Sequence, residues 1–220
     1  MNVIPAILPH SFEELTDKLS RVEGLALLVQ IDFCDGVFGR ERTWLPEGGE
    51  SLSYNLQYEF DIMVNDWRTC VAQAIALDAA RIVVHVDMFT DQDMSDLVAM
   101  LEPKQIPLGV SVSNDKTVDF HEEMIRKAQS LYPHVYIQVM GIRTVGEQGQ
   151  AFDETTPERI IALKKVFGSV PLQVDGSMTP ETAKHVCMAG AETVIAGSYI
   201  FGGEDAGGAI ERLEEAVCSK

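Results

Sequence analysis

A chain of 220 residues with 46% hydrophobic content can bury a sizeable core, and residues 1–220 read as one domain. A formal net charge of -17 argues against nucleic acid or an anionic membrane as a partner, since both demand clustered Lys and Arg. The opening MNVIPAILPHSF has no basic segment before its apolar stretch, and no run nears the length of a membrane span, so a cytoplasmic protein is expected.

Eight short apolar runs recur in chain order: VIPAIL, LALLVQIDF, YEFDIMV, ARIVVHV, IPLGVSV, HVYIQVM, VPLQVD and ETVIAG. Each precedes a stretch with helical spacing. FEELTDKLSRV carries apolar residues near i, i+3 and i+4 and stops at Gly24. Residues 37–57 hold too little periodicity for a full helix and read as a long loop of the kind that serves active sites. In TTPERIIALKKVFG, Thr156 is the expected cap, with Pro157 at the first helical position and Gly168 at the end. TPETAKHVCMAG repeats this with Thr179, Pro180 and Gly190, and ERLEEAVCSK reads as a closing helix with a solvated face. Strand then helix, repeated, predicts an α/β fold of the (β/α)₈ TIM barrel type; the weak second unit keeps an open doubly wound sheet as the alternative. Cys34, Cys70, Cys187 and Cys218 lack C-x-x-C spacing and read as ordinary thiols.

In such a barrel, chemistry collects at the C-terminal strand ends. Strand two offers Gln30, Asp32 and Asp35, strand three Glu59 and Asp61, strand four His85 and Asp87, and strand seven Asp175. Pointing inward together, Asp32, Asp61 and Asp175 would raise one another's pKa unless a cation or substrate hydroxyl intervened. Asp35 before Gly36 reads as a local turn former. His85 divides evenly between a satisfied mouth residue and a substrate contact, whereas His10, His121, His134 and His185 read as structural or solvated. Glycines form a second set: Gly146 and Gly149 in VGEQGQ, Gly176 with Ser177, and Gly197 with Ser198. Three such loops in succession predict a backbone cradle for phosphate. Arg143, and after it Arg40, are the cations expected to assist, while Tyr199 and Phe201 are expected to pack the final helix.

These stretches resemble the ribulose-phosphate 3-epimerase family. VIPAILPHSFEEL is similar to its first unit, QIDFCDGVFG to its H-x-D-x-M-D-G-x-F motif, and EFDIMV to its D-x-H-L-M-V. VMGIRTVGEQGQAF resembles the family's phosphate loop with one residue added, and VDGSMTPETAKHVCMAGAETVIAGSYIF its last two units. The resemblance implies an isomerase that epimerises a ketopentose phosphate at C3, with Asp32 and Asp175 passing a proton to and from a flat enediolate. Cys34, Met63 and Met140 stand where the family keeps three methionines under the intermediate.

The family binds a divalent metal through two histidines and two aspartates. Gln30 and Asp61 replace the histidines here, and Asp32 and Asp175 remain. If this oxygen-rich set holds an ion, Mg²⁺ or Mn²⁺ suits it better than Zn²⁺, and the alternative is no metal. The family's first-strand serine, expected near Ala6, is also gone. Two other readings stand beside the epimerase. One is a keto-hexulose-phosphate decarboxylase or aldolase, whose D-x-K-x-x-D motif lacks its lysine in EFDIMVND. The other is a catalytically silent phosphosugar-binding barrel. Oligomers are common in the family, and no feature of the sequence forces one.

Overall fold

A computed structural model describes residues 2–218. The Cys218 thiol and the last two residues of ERLEEAVCSK lie outside the described residues. Eight strands follow one another around a closed, all-parallel barrel in which β8 pairs back onto β1. They are β1 (Asn2–Ile7), β2 (Leu28–Cys34), β3 (Gln57–Met63), β4 (Ala79–His85), β5 (Leu108–Val112), β6 (Val135–Met140), β7 (Leu172–Asp175) and β8 (Thr193–Ala196). Closure decides for the (β/α)₈ barrel over the open sheet.

The helices are α1 (Phe12–Val22), α2 (Trp67–Ala76), α3 (Asp91–Leu101), α4 (Val118–Leu131), α5 (Thr156–Phe167), α6 (Pro180–Ala189), α7 (Ser198–Phe201) and α8 (Ala206–Cys218). No helix is long and apolar enough to cross a membrane among the described residues. Ser11 accepts the Glu14 amide to start α1, and Leu15, Leu19 and Val22 form its buried stripe. Thr179 and Thr182 close a reciprocal cap on α6, which ends at Gly190 with φ 115°. One boundary needs correction: Thr155 holds the cap position of α5 without a side-chain cap bond, Thr156 is the first helical residue and Pro157 the second. Asp153 competes successfully for this end, its Oδ1 accepting the Thr155 amide at 3.0 Å. The stretch between β2 and β3 carries no helix, as its weak periodicity predicts.

Strand side chains alternate between two environments. Ile31, Phe33, Phe60, Ile62, Ile82, Val84, Ile137 and Val174 face outward and pack with the helices in one large apolar layer. The inside is different. Ile4, Ala6 and Ile195 form a small apolar cluster with Leu28. The rest of the interior holds Gln30, Glu59, Gln138 and Gln173, none more than 2% exposed. Near the barrel floor, Glu59 faces Arg81 Nε at 2.7 Å and accepts bonds from Tyr136 Oη at 2.6 Å and Gln173 Nε2 at 3.0 Å. Arg81 lies over the Tyr136 ring, 3.9 Å from its centroid. Gly109 makes this possible: a Cβ there would come within 2.6 Å of the ring.

Candidate active site

At the C-terminal mouth a cleft is lined by Asp32 of β2, Met63 after Asp61 on β3, Met140 of β6 and Asp175 of β7. Gly146, Gly149, Gly176, Ser177, Gly197 and Ser198 line it as well. All ten residues expected to touch substrate thus share one cleft, together with Gln148, which the sequence reading passed over. Two of the expected group stand apart. Gln30 lies below the cleft and Asp61 is fully buried beside it.

Gln30 Nε2 donates to Asp32 Oδ1 at 3.1 Å and to Asp175 Oδ2 at 3.3 Å, so one amide joins the two carboxyls. Burial pushes the Asp32 carboxyl well above the usual range, reinforced by the charges of Asp175 and Asp61. Burial and the Asp61 charge push Asp175 up to about 8, against the Gln30 hydrogen bond. The cause is plain: buried like charges resist joint ionisation, so the two carboxyls favour holding a proton between them.

Asp61 is turned to other partners. Its Oδ1 faces His85 Nε2 at 3.0 Å and its Oδ2 accepts Gln138 Nε2 at 2.7 Å. His85 is thus bonded through Nε2 and packs against the Phe38 ring, while its buried Nδ1 has no hydrogen-bond partner among the described residues. Gln138 passes the chain downward, its Oε1 accepting Gln173 Nε2 at 2.7 Å. Both glutamines were missed in the sequence, although they fall on the same alternate positions as Met140 and Asp175, the period that marks an inward face.

Asp35 behaves as a turn former. Its Oδ1 accepts the amides of Val37 and Phe38 at 2.8 and 2.9 Å, and its Oδ2 that of Asn65 at 2.7 Å. Beyond it the long loop crosses the mouth and meets the β6 loop, with Arg40 and Glu41 amides donating to Val145 and Gly146 carbonyls at 3.1 and 2.9 Å. Gly146 is needed for this close approach: it has φ 68°, and a Cβ would sit 2.8 Å from Gly39 Cα. Gly176, at φ 114°, has Ile142 at 2.9 Å from where a Cβ would stand. Ser177 follows it in the left-handed region at φ 56°, its hydroxyl donating to the Gln150 carbonyl at 2.5 Å.

The cations are elsewhere. Arg143 donates to Asp153 at 2.9 Å and Arg40 faces Glu147 at 3.3 Å, both largely exposed, and neither lines the cleft. Each is paired instead with an acid in the chain that follows β6. His121, read as structural or solvated, is buried, its Nε2 lying 3.0 Å from Asp87 Oδ1. Tyr199 meets Arg212 of α8, but Phe201 lies under Lys18 and Arg21 of α1.

Residues 2–201 match the sequence profile of the ribulose-phosphate 3 epimerase family. The chain belongs to this family. It is 27% identical to the cytoplasmic isoform of ribulose-phosphate 3-epimerase from Oryza sativa subsp. japonica, covering 98% of this chain and 93% of that protein. It is 26% identical to ribulose-phosphate 3-epimerase from Helicobacter pylori strain J99, covering 97% of each. In fold it is similar to KGPDC from Streptococcus mutans, solved with D-R5P, at TM-score 0.70 and 14% identity over 99% of this chain and 97% of that one. The 3-hexulose-6-phosphate synthase of Salmonella typhimurium gives 0.69 and 14% over 99% of both.

The divalent metal of the family can be tested against these side chains. Both Asp61 oxygens are engaged by His85 and Gln138, and Gln30 presents N–H groups, not its oxygen, to Asp32 and Asp175. Among the described residues no group of three or more His, Cys, Asp and Glu is placed to hold an ion. The donor set as arranged does not fit a divalent cation.

Proposed function

We propose that this family member epimerises a ketopentose phosphate at C3. The observation that carries the reading is the Asp32 and Asp175 pair, two carboxyls from different strands sharing one cleft and one amide. With one carboxyl ionised, that oxygen takes the C3 proton and the C–H electrons form the C2–C3 double bond as charge moves onto the C2 oxygen. The other carboxyl returns its proton to the opposite face of C3, and the C2 carbonyl re-forms. A pair holding one proton supplies one base and one acid in either direction. Met63 and Met140 line the cleft with a soft apolar surface for the flat intermediate. The phosphate is assigned to the glycine loops, where the Gly176, Ser177, Gly197 and Ser198 amides are the donors, with Gln148 Nε2 close by, 3.4 Å from a Cβ on Gly197. Work in the cytoplasm is part of the same proposal, as is a place in pentose phosphate metabolism.

The test is incubation of the protein with D-ribulose 5-phosphate in D₂O, followed by NMR. Deuterium at C3 with formation of D-xylulose 5-phosphate is expected. No exchange at C3 by folded protein would remove the reading and favour another phosphosugar or a silent barrel.

A further inference from the structure

Gln30 stands where a histidine would serve a metal, yet its contacts describe a different device. The amide nitrogen carries two hydrogens, and each has its own carboxyl, Asp32 Oδ1 at 3.1 Å and Asp175 Oδ2 at 3.3 Å. The planar amide turns Oε1 away from both, and that oxygen has no hydrogen-bond partner among the described residues. Reversing the amide would press Oε1 against the oxygen of whichever carboxyl is ionised. A neutral imidazole in this place has one N–H and cannot donate to both carboxyls, so histidine needs a cation to complete the bridge and glutamine does not.

Asp61 is committed just as firmly. It ends a chain of bonded side chains that descends through Gln138 and Gln173 to Glu59, with distances of 2.7, 2.7 and 3.0 Å. Turning it toward an ion would strand the Gln138 amide and His85 Nε2 in the barrel interior, where a buried polar group needs a partner.

We propose, resting on the epimerase reading, that the Gln30 amide takes the place of the divalent cation, bridging Asp32 and Asp175 so that the enzyme turns over without metal. Gln30 is a positioning residue here, since it acts through the two carboxyls. Each hydrogen has its own acceptor, and a protonated carboxyl still keeps lone pairs to accept one, so the bridge persists whichever carboxyl holds the transferred proton, as a reversible epimerisation requires.

Two arms test this. In the first, chelator-treated wild-type protein is titrated with Mn²⁺ under electron paramagnetic resonance and with Zn²⁺ against a chromophoric chelator; no stoichiometric uptake is expected. In the second, C3 exchange of D-ribulose 5-phosphate is followed for wild type and Gln30→Leu, with and without Mg²⁺, Mn²⁺ or Zn²⁺. Wild type should be insensitive to chelator and ions, and Gln30→Leu should lose about a hundredfold in kcat with KM within about twofold and an unchanged melting temperature. If Gln30→Leu does not fold, Gln30→Met, closer in length, carries the arm. Stoichiometric uptake by wild type, dependence of its kcat on an ion, or a folded Gln30 variant with undiminished kcat would each overturn the bridge. A wild type that never exchanges C3, with any ion, instead sinks the epimerase reading, and the uptake arm then decides by itself whether the amide stands in for a cation.

Discussion

Two ends of the same barrel bury carboxyls in opposite ways. At the floor, Glu59 is fully buried, and its acidity is weakened by that burial, yet it has an arginine, a tyrosine hydroxyl and a glutamine amide around it. At the mouth, Asp32 and Asp175 share a single amide and face a cleft. A carboxyl surrounded by donors has less to gain from taking a proton, and it holds the fold. A carboxyl left short of donors beside a like charge is poised to exchange one. The comparison separates structural from chemical acids by counting their partners, without regard to how deeply each is buried.

Neutralising the mouth should have the strongest consequence. Asp32→Asn and Asp175→Asn each remove one half of the proton exchange while nearly preserving shape, so turnover of D-ribulose 5-phosphate should fall by about 10³-fold or more for either. Circular dichroism and the melting temperature should stay close to wild type. Substantial turnover in both variants would deny the two carboxyls their distinct role and place the mouth with the floor as structure.

The converse change strikes the floor. Arg81→Met keeps the length of the stem but leaves Glu59 without its cation, and removing one partner of a buried ion pair costs about 3 kcal/mol. Urea unfolding should show that loss, while KM for the sugar phosphate should be unaffected because Arg81 lies at the opposite end from the cleft. A large change in kcat with little change in stability would instead tie the floor to the chemistry through the Glu59, Gln173, Gln138 and Asp61 chain.

This division was only half legible in the sequence. The barrel showed clearly because apolar runs, helix caps and terminal glycines such as Gly168 and Gly190 obey local rules that tertiary contacts reinforce. Asp32 and Asp175 showed because they interrupt apolar strands. Gln138 and Gln173 do the same, but an amide is compatible with so many settings that its bonding depends on which strand closes beside it. The partners of Asp61 were hidden for a similar reason: Asp61, His85 and Gln138 lie on three strands, and only barrel closure brings them within bonding distance. Arg143 misled because a cation in a phosphate loop was read without the acid, Asp153, that lies ten positions on and claims it first.

The smallest expected effect lies within one strand end, and it sharpens the comparison because Asp35 stands three residues from Asp32. Burial pushes Asp35 up, but the amides of Asn65, Val37 and Phe38 outweigh it and hold the carboxyl below its ordinary value. Its folded pKa being depressed, the carboxylate stabilises the protein fully above the unfolded value, and that contribution is lost as pH falls through the folded one. The mouth pair runs the other way. With pKa values raised by folding, Asp32 and Asp175 favour the folded state at low pH, and this advantage is lost as pH rises, through about 8 for Asp175. Asp35→Ala should therefore cost about 1 kcal/mol at neutral pH, near the low end for a lost cap because the site is partly solvated. The gap from wild type should shrink at an acid pH below the ordinary Asp range, where the carboxylate takes up its proton. Asp35→Asn should recover part of the loss, since an amide oxygen still serves the turn, and its gap should be less sensitive to acid. Urea midpoints of the three proteins at both pH values measure this. A gap for Asp35→Ala that is the same in acid as at neutral pH would mean that turn geometry, and not the ionised carboxylate, is what Asp35 contributes.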